Sequence, residues 1–229
     1  MYKKTGLVLE GGGMRGAYTS GVLDAFMDEN LKFPYVIGVS AGANNGANFV
    51  AEQRERNKEV FVDYVNHEDF SSFKNLIKGK RYFNMDFLFD KLPNELLPFD
   101  YSTFLNSQTI FKLVVTDCKT GQPTYFEKSQ TKNKGMDFIN KALRASSSIP
   151  IFAGPVKING RLYFDGGISD PIPIEKSIED GNCYNVVVLT RNEDYRKGPQ
   201  ILRLFAKHYL KEYPKVLNAI ETRHIKYNI

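Results

Sequence analysis

Short apolar runs that end in glycine alternate with longer amphipathic stretches along the 229-residue chain. Residues 5–10 and Tyr35–Val39 are too short and too uniformly apolar for surface helices, and each runs into a glycine turn, so both read as buried strands. Helices are predicted after them, over 15–29 and from Ala41 to about Gln53. Further strands are predicted at 111–116 and 123–126, around the turn Lys119-Thr120-Gly121, and at 162–164. Residues 136–146 and Ile174–Glu179 read as helices, and 185–190, with three consecutive valines, as a strand of buried type. From Pro199 the tail is amphipathic, with Ile201, Leu202, Leu204, Phe205 and Leu210 on one side, and Pro214 is placed to start a second helical piece. Strands alternating with helices imply an α/β fold, a mostly parallel central sheet sandwiched by helices. No repeat, low-complexity segment or linker divides the chain, so one domain over 1–229 is expected, with its motifs in 6–190 and a basic tail over 199–229.

Composition changes this picture little: 42% hydrophobic and 25% charged residues are ordinary for a globular domain. No run approaches the ~20 apolar residues of a membrane span, and the N-terminus reads as a strand rather than a signal peptide. Cys118 and Cys183 lie far apart, which makes a reduced, cytoplasmic protein the simplest reading, although the sequence leaves a single disulfide open. Charge is more informative. The net charge is +5, yet eight basic and two acidic residues follow Asp194, so the tail carries all of the excess. A solvated helical face is the plainer explanation of that tail, and peripheral attraction to an anionic membrane is the functional one. No nucleic-acid-binding signature is present.

The candidate chemistry begins at Gly38-Val39-Ser40-Ala41-Gly42, a G-x-S-x-G between a strand and a helix. Taken bare, that pattern is common by chance. In this context it holds a serine on a sharp turn with its hydroxyl exposed and the positive end of a helix behind it. A second glycine loop, Gly11-Gly12-Gly13-Met14-Arg15-Gly16, follows the first strand. Its Gly11, Gly13 and Gly16 match the dinucleotide fingerprint, but the acidic residue expected at the end of the second strand is missing. The same loop can present bare amides to an oxyanion beside Ser40, with Arg15 adding charge or pairing with a surface carboxylate. A serine needs a base. His67, His208 and His224 are poorly placed, being in an exposed-looking turn and in the basic tail, and they show no metal-ligand spacing. Asp165 ends a short strand and precedes Gly166-Gly167, where close backbone approach is possible, so a Ser40–Asp165 dyad is expected.

Together, Gly11–Gly16, Gly38–Gly42 and Asp165-Gly166-Gly167 resemble the three motifs of patatin-like phospholipases, in that family's order, and the stretch from Ala145 to Pro150 resembles what precedes its Asp motif. The resemblance implies Ser40 as nucleophile, Asp165 as base, the Gly11–Gly16 loop as oxyanion donors, Gly38, Gly42, Gly166 and Gly167 as supporting positions, and hydrolysis of lipid acyl esters without metal or cofactor. It implies a lipid or acyl-ester substrate and says nothing of oligomeric state. The Phe-rich residues 66–106, broken by Pro93 and Pro98, read as irregular, either a cap over an acyl pocket or a plain aromatic core. The tail matches the motifs least and ends without a clear helix stop, which leaves room for a further C-terminal segment.

Overall fold

The apolar runs are strands, and their burial explains their composition. β1 (Thr5–Leu9) and β2 (Tyr35–Val39) are buried along their whole length. Both pair in parallel with neighbours on each side, so every side chain faces a covered layer. In the computed structural model residues 4–67, 69–70, 83–135, 137–199 and 204–228 are described, 204–206 by backbone alone. The remaining strands are β3 (Ile110–Asp117), β4 (Pro123–Glu127), β5 (Val156–Ile158), β6 (Arg161–Asp165) and β7 (Tyr184–Val188). The sheet order is β5-β6-β3-β2-β1-β7, with β4 also on β3. Strands β7, β1, β2 and β3 run parallel, while β4 and β6 run against β3 and β5 against β6. Five of the seven strands therefore point one way, a mostly parallel sheet.

Helices α1 (Gly16–Asp28), α2 (Ala41–Val50), α3 (Tyr101–Asn106), α4 (Asp137–Ser146), α5 (Ile174–Glu179), α6 (Leu204–Tyr209) and α7 (Pro214–Tyr227) flank it. α2 is rich in Ala and Gly because it is pressed against the sheet: a β carbon at Gly46 would meet Leu9 at 2.9 Å. The tail is docked, not free. Leu210, Val216 and Ile220 pack on Cys118, Phe164 and Ile168, with Tyr213 edge-on to Phe164 at 5.3 Å. Cys118 and Cys183 are both free thiols.

Three expectations need correction. β5 was not anticipated; it forms a hairpin with β6 through Asn159-Gly160, both at positive φ (50° and 80°), a turn that suits right-twisted strands. β7 is not a fully buried strand: it is a sheet edge, and its side chains alternate, with Tyr184 72% exposed and Val188 buried. The segment 66–106 is not irregular throughout. Phe87–Leu96 winds as a π-helix, closed by a bond from Leu97 N to Leu92 O that spans Pro93, which has no N–H to give. Phe73, Ile201 and Leu202 lie outside the described residues.

Candidate active site

The sheet register brings the serine and the aspartate together. β4 occupies one edge of β3 at Val115 and Thr116, so β6, paired with the same two residues, must take the other edge. That is the edge β2 holds up to Val114. β2 thus stops at Val39 opposite Val114, and β6, coming from the opposite direction, stops at Asp165 opposite Val115. Ser40 and Asp165 meet end to end across one step of β3.

Ser40 stands between β2 and α2 at φ 53°, ψ −121°. A residue with a β carbon pays a strain of about 1–3 kcal/mol there, which surrounding bonds must hold. Its N–H donates to Ser146 Oγ (2.9 Å), whose hydroxyl donates in turn to Val114 O (2.7 Å). Asn44 Nδ2 donates to Ser40 O and to Ser147 Oγ, both at 2.9 Å. The flanking glycines allow this turn to press on β1. A β carbon at Gly42 would lie 2.5 Å from Leu9 O and 2.6 Å from Glu10 O, and one at Gly38 would strike the Gly42 backbone. Overpacking of this kind costs about 1–3 kcal/mol. We expect Gly42→Ala to lower the melting temperature by about 3–10 °C; an unchanged melting curve would show that the elbow is not tightly packed.

Asp165 is 5% exposed and Ser40 7%. Burial pushes the Asp165 carboxyl up to about 6, against the opposing pull of the Ser40 hydroxyl, the Gly167 amide and the Arg223 guanidinium. Gly167 N–H donates to Oδ1 at 2.7 Å. The Asp165 backbone is fixed by its N–H to Ser148 O (2.9 Å) and by Thr116 Oγ1 donating to its carbonyl (2.8 Å). Gly166 passes so close to Val114 that a β carbon would lie 2.2 Å from Val114 O.

In the Gly11–Gly16 loop the amides divide into two groups. Those of Gly11, Arg15 and Gly16 donate to Pro171 O, Gly12 O and the Gly13 and Met14 carbonyls. Those of Gly12, Gly13 and Met14 have no acceptor among the described residues, and Gly13 and Met14 line a cavity together with Ser40. That cavity, about 170 Å³, is walled by Phe61, Phe83, Leu88, Phe89, Leu92 and Phe99 among others. The Phe-rich segment is therefore partly pocket wall and partly core, since Phe104 is fully buried in the main core. One wall is polar: Arg56 donates to Asn48 Oδ1 (2.8 Å) and Leu97 O (2.7 Å), and burial lowers its guanidinium to about 10. None of the three histidines lines the cavity. At the end of β2, where a dinucleotide site would need an acid, stands Ser40.

Ser146, Ser148, Asn44, Thr116 and Arg223 serve the site without having been singled out by their residue type. Ser146 and Ser148 at least fall in the stretch that carried the resemblance. Arg223, in a tail that reads as solvated surface, gave no such signal.

An α/β domain with a mostly parallel seven-stranded sheet and a serine elbow after its second strand is the class of protein these elements define. The patatin-like phospholipase family matches over residues 7–177, and the chain belongs to that family. Uncharacterized protein YjjU of Escherichia coli (strain K12) is 33% identical over 198 residues, 85% of this chain and 54% of that protein. Probable lipid hydrolase 463L of Invertebrate iridescent virus 6 is 27% identical over 201 residues, 80% of this chain and 66% of that protein. Among solved structures, VipD from Legionella pneumophila aligns with a TM-score of 0.49 at 16% identity, over 73% of this chain and 46% of that one. The chain thus spans about half to two-thirds of the length of these curated relatives. Among the described residues, no helix is long and apolar enough to cross a membrane.

Proposed function

We propose that this chain hydrolyses acyl esters of lipids through an acyl-serine intermediate. The observation that carries the reading is the end-to-end meeting of Ser40, which lines an apolar cavity, and the buried Asp165 carboxylate. Asp165 takes the Ser40 hydroxyl proton as Oγ attacks the ester carbonyl. The amides of Gly12, Gly13 and Met14 stabilise the oxyanion that develops; loss of one such donor typically costs about 10²–10³ in turnover. Asp165 then returns the proton to the departing alcohol, and a water molecule, deprotonated by the same carboxylate, releases the fatty acid. A base at about pH 6 is ionised at neutral pH yet still basic enough to accept a proton. The acyl chain lies against the Phe and Leu wall of the cavity.

The test is an active-site label together with turnover. A fluorophosphonate should modify Ser40 alone, and the protein should hydrolyse nitrophenyl esters and acylglycerols of medium chain length. Labelling of another serine, or no turnover across such a panel, would overturn the assignment.

A further inference from the structure

The cavity that Ser40 lines holds a charge well away from the serine. Along α2 the lining residues Ser40, Asn44, Ala47 and Asn48 fall on one face of the helix. Ser40 caps this helix and Asn48 stands eight positions further on, so the Asn48 end of the wall lies about 12 Å from the serine. Arg56 is fastened there. It is 8% exposed and donates through Nη1 to Asn48 Oδ1 (2.8 Å) and through Nη2 to Leu97 O (2.7 Å). Its guanidinium carbon stands 5.4 Å over the ring of Phe99, another part of the lining.

Nothing balances this charge. Among the described residues of the lining Arg56 alone is charged, and no Asp or Glu shares the cavity with it. Among the described residues it forms no ion pair. Two of its five N–H groups are spent on Asn48 and Leu97, and Nε is buried without a partner. Burial lowers the group to about 10, which leaves it charged at neutral pH. A second polar atom of the same lining, Asn45 Oδ1, is also buried and unpartnered. A bracing role does not account for the charge. A neutral donor would tie Asn48 to Leu97 without the penalty of burying an unpaired ion. The planar guanidinium fork is matched to a carboxylate. An extended alkyl chain with C–C bonds near 1.52 Å advances about 1.25 Å per bond. About nine carbons therefore bring the end of an acyl group from the serine to within hydrogen-bond reach of Arg56.

We propose that Arg56 binds a carboxylate at the far end of the acyl chain, so that half-esters of medium-length α,ω-dicarboxylic acids are substrates. Ser40 attacks the ester carbonyl at one end while the free carboxylate rests on Arg56 at the other. A terminal hydroxyl would satisfy Asn45 Oδ1 but leave the charge unpaired. This deepens the acyl-hydrolase reading and rests on it.

The experiment compares mono-4-nitrophenyl nonanedioate with 4-nitrophenyl nonanoate, which differ only in the terminal group. An apolar pocket would reject the ionised end; here kcat/KM for the dioate should at least equal that for the nonanoate. In Arg56→Gln the ratio of the two should fall by about ten- to a hundredfold, the loss expected for charge-assisted bonds. Arg56→Lys, which keeps the charge without the fork, should fall in between. Mere loosening of the wall would slow both esters and leave their ratio alone, so an unchanged ratio overturns the proposal, as does a wild type that rejects the dioate. Should Arg56→Gln fail to fold, chain length decides. The hexanedioate and hexanoate esters stop short of Arg56, and a preference for the charged ester that persists there places the carboxylate elsewhere. The ω-hydroxy nonanoate ester is a further arm: turnover equal to that of the dioate would mean that the site reads a hydroxyl. Calorimetry separates all this from failure of the hydrolase reading. Even if no ester is turned over, monoethyl nonanedioate must bind at least about tenfold tighter to Ser40→Ala than to Ser40→Ala/Arg56→Gln; equal binding refutes the carboxylate site.

Discussion

Ser40→Gly is expected to abolish the proposed ester hydrolysis and to melt above Ser40→Ala, which should be equally inactive. Both remove the proposed nucleophile, and losses of about 10⁴–10⁶ in kcat are expected when a serine hydrolase loses its attacking hydroxyl. The two variants differ in backbone strain. At φ 53°, ψ −121° alanine keeps the β carbon that makes this conformation costly, whereas glycine occupies it freely. Relief of about 1–3 kcal/mol of strain, less up to about 1 kcal/mol for the more flexible unfolded chain, leaves a net gain near 1 kcal/mol. For a domain of this size that is about 2–4 °C in melting temperature. Thermal melts of the two variants at one pH decide it. A glycine variant no more stable than the alanine one would mean that the elbow stores no strain.

The sequence showed the ends of the site better than the way they meet. Ser40 and the Gly11–Gly16 loop were legible because they follow parallel neighbours, and such loops open on the same edge of a sheet. Asp165 was legible by motif, but the alternation of strands and helices, which gives only a mostly parallel sheet, does not tell that its strand runs against β3. Half of the cue was present: Asn159-Gly160 between two apolar stretches marks a hairpin that sets β5 and β6 against each other, but not which of the two runs against β3. β7 misled for a different reason. A run of valines fits any strand with covered faces, and whether a strand is central or at an edge depends on pairing that no local pattern reports. Arg223 was out of reach altogether. It lies 58 positions beyond Asp165, and only the docking of α7 on Phe164 and Ile168 brings its guanidinium to Gly167.

Replacing the proposed base, Asp165, should separate activity from stability. Asp165→Asn is expected to lower kcat/KM by about 10³–10⁴, the range for losing general-base assistance. In the wild type, kcat/KM should rise through a midpoint near pH 6, where the carboxyl ionises. The stability effect runs the other way. The folded value of about 6 lies above the ordinary aspartate value near 3.9, so between the two the native state holds a proton that the unfolded chain has lost. The neutral carboxyl's stability is complete below pH 4 and is lost as the pH rises through 6. By pH 8 the buried charge costs the wild type on the order of 2–3 kcal/mol. Asparagine keeps the acceptor for Gly167 N–H and carries no charge at any pH. The variant should therefore melt close to the wild type at pH 4 and about 5–10 °C above it at pH 8. Other carboxylates titrate in both proteins and cancel in the difference. A gap that stays constant from pH 4 to pH 8 would show that Asp165 ionises as it does in water, and a carboxylate that weak in basicity could not deprotonate Ser40.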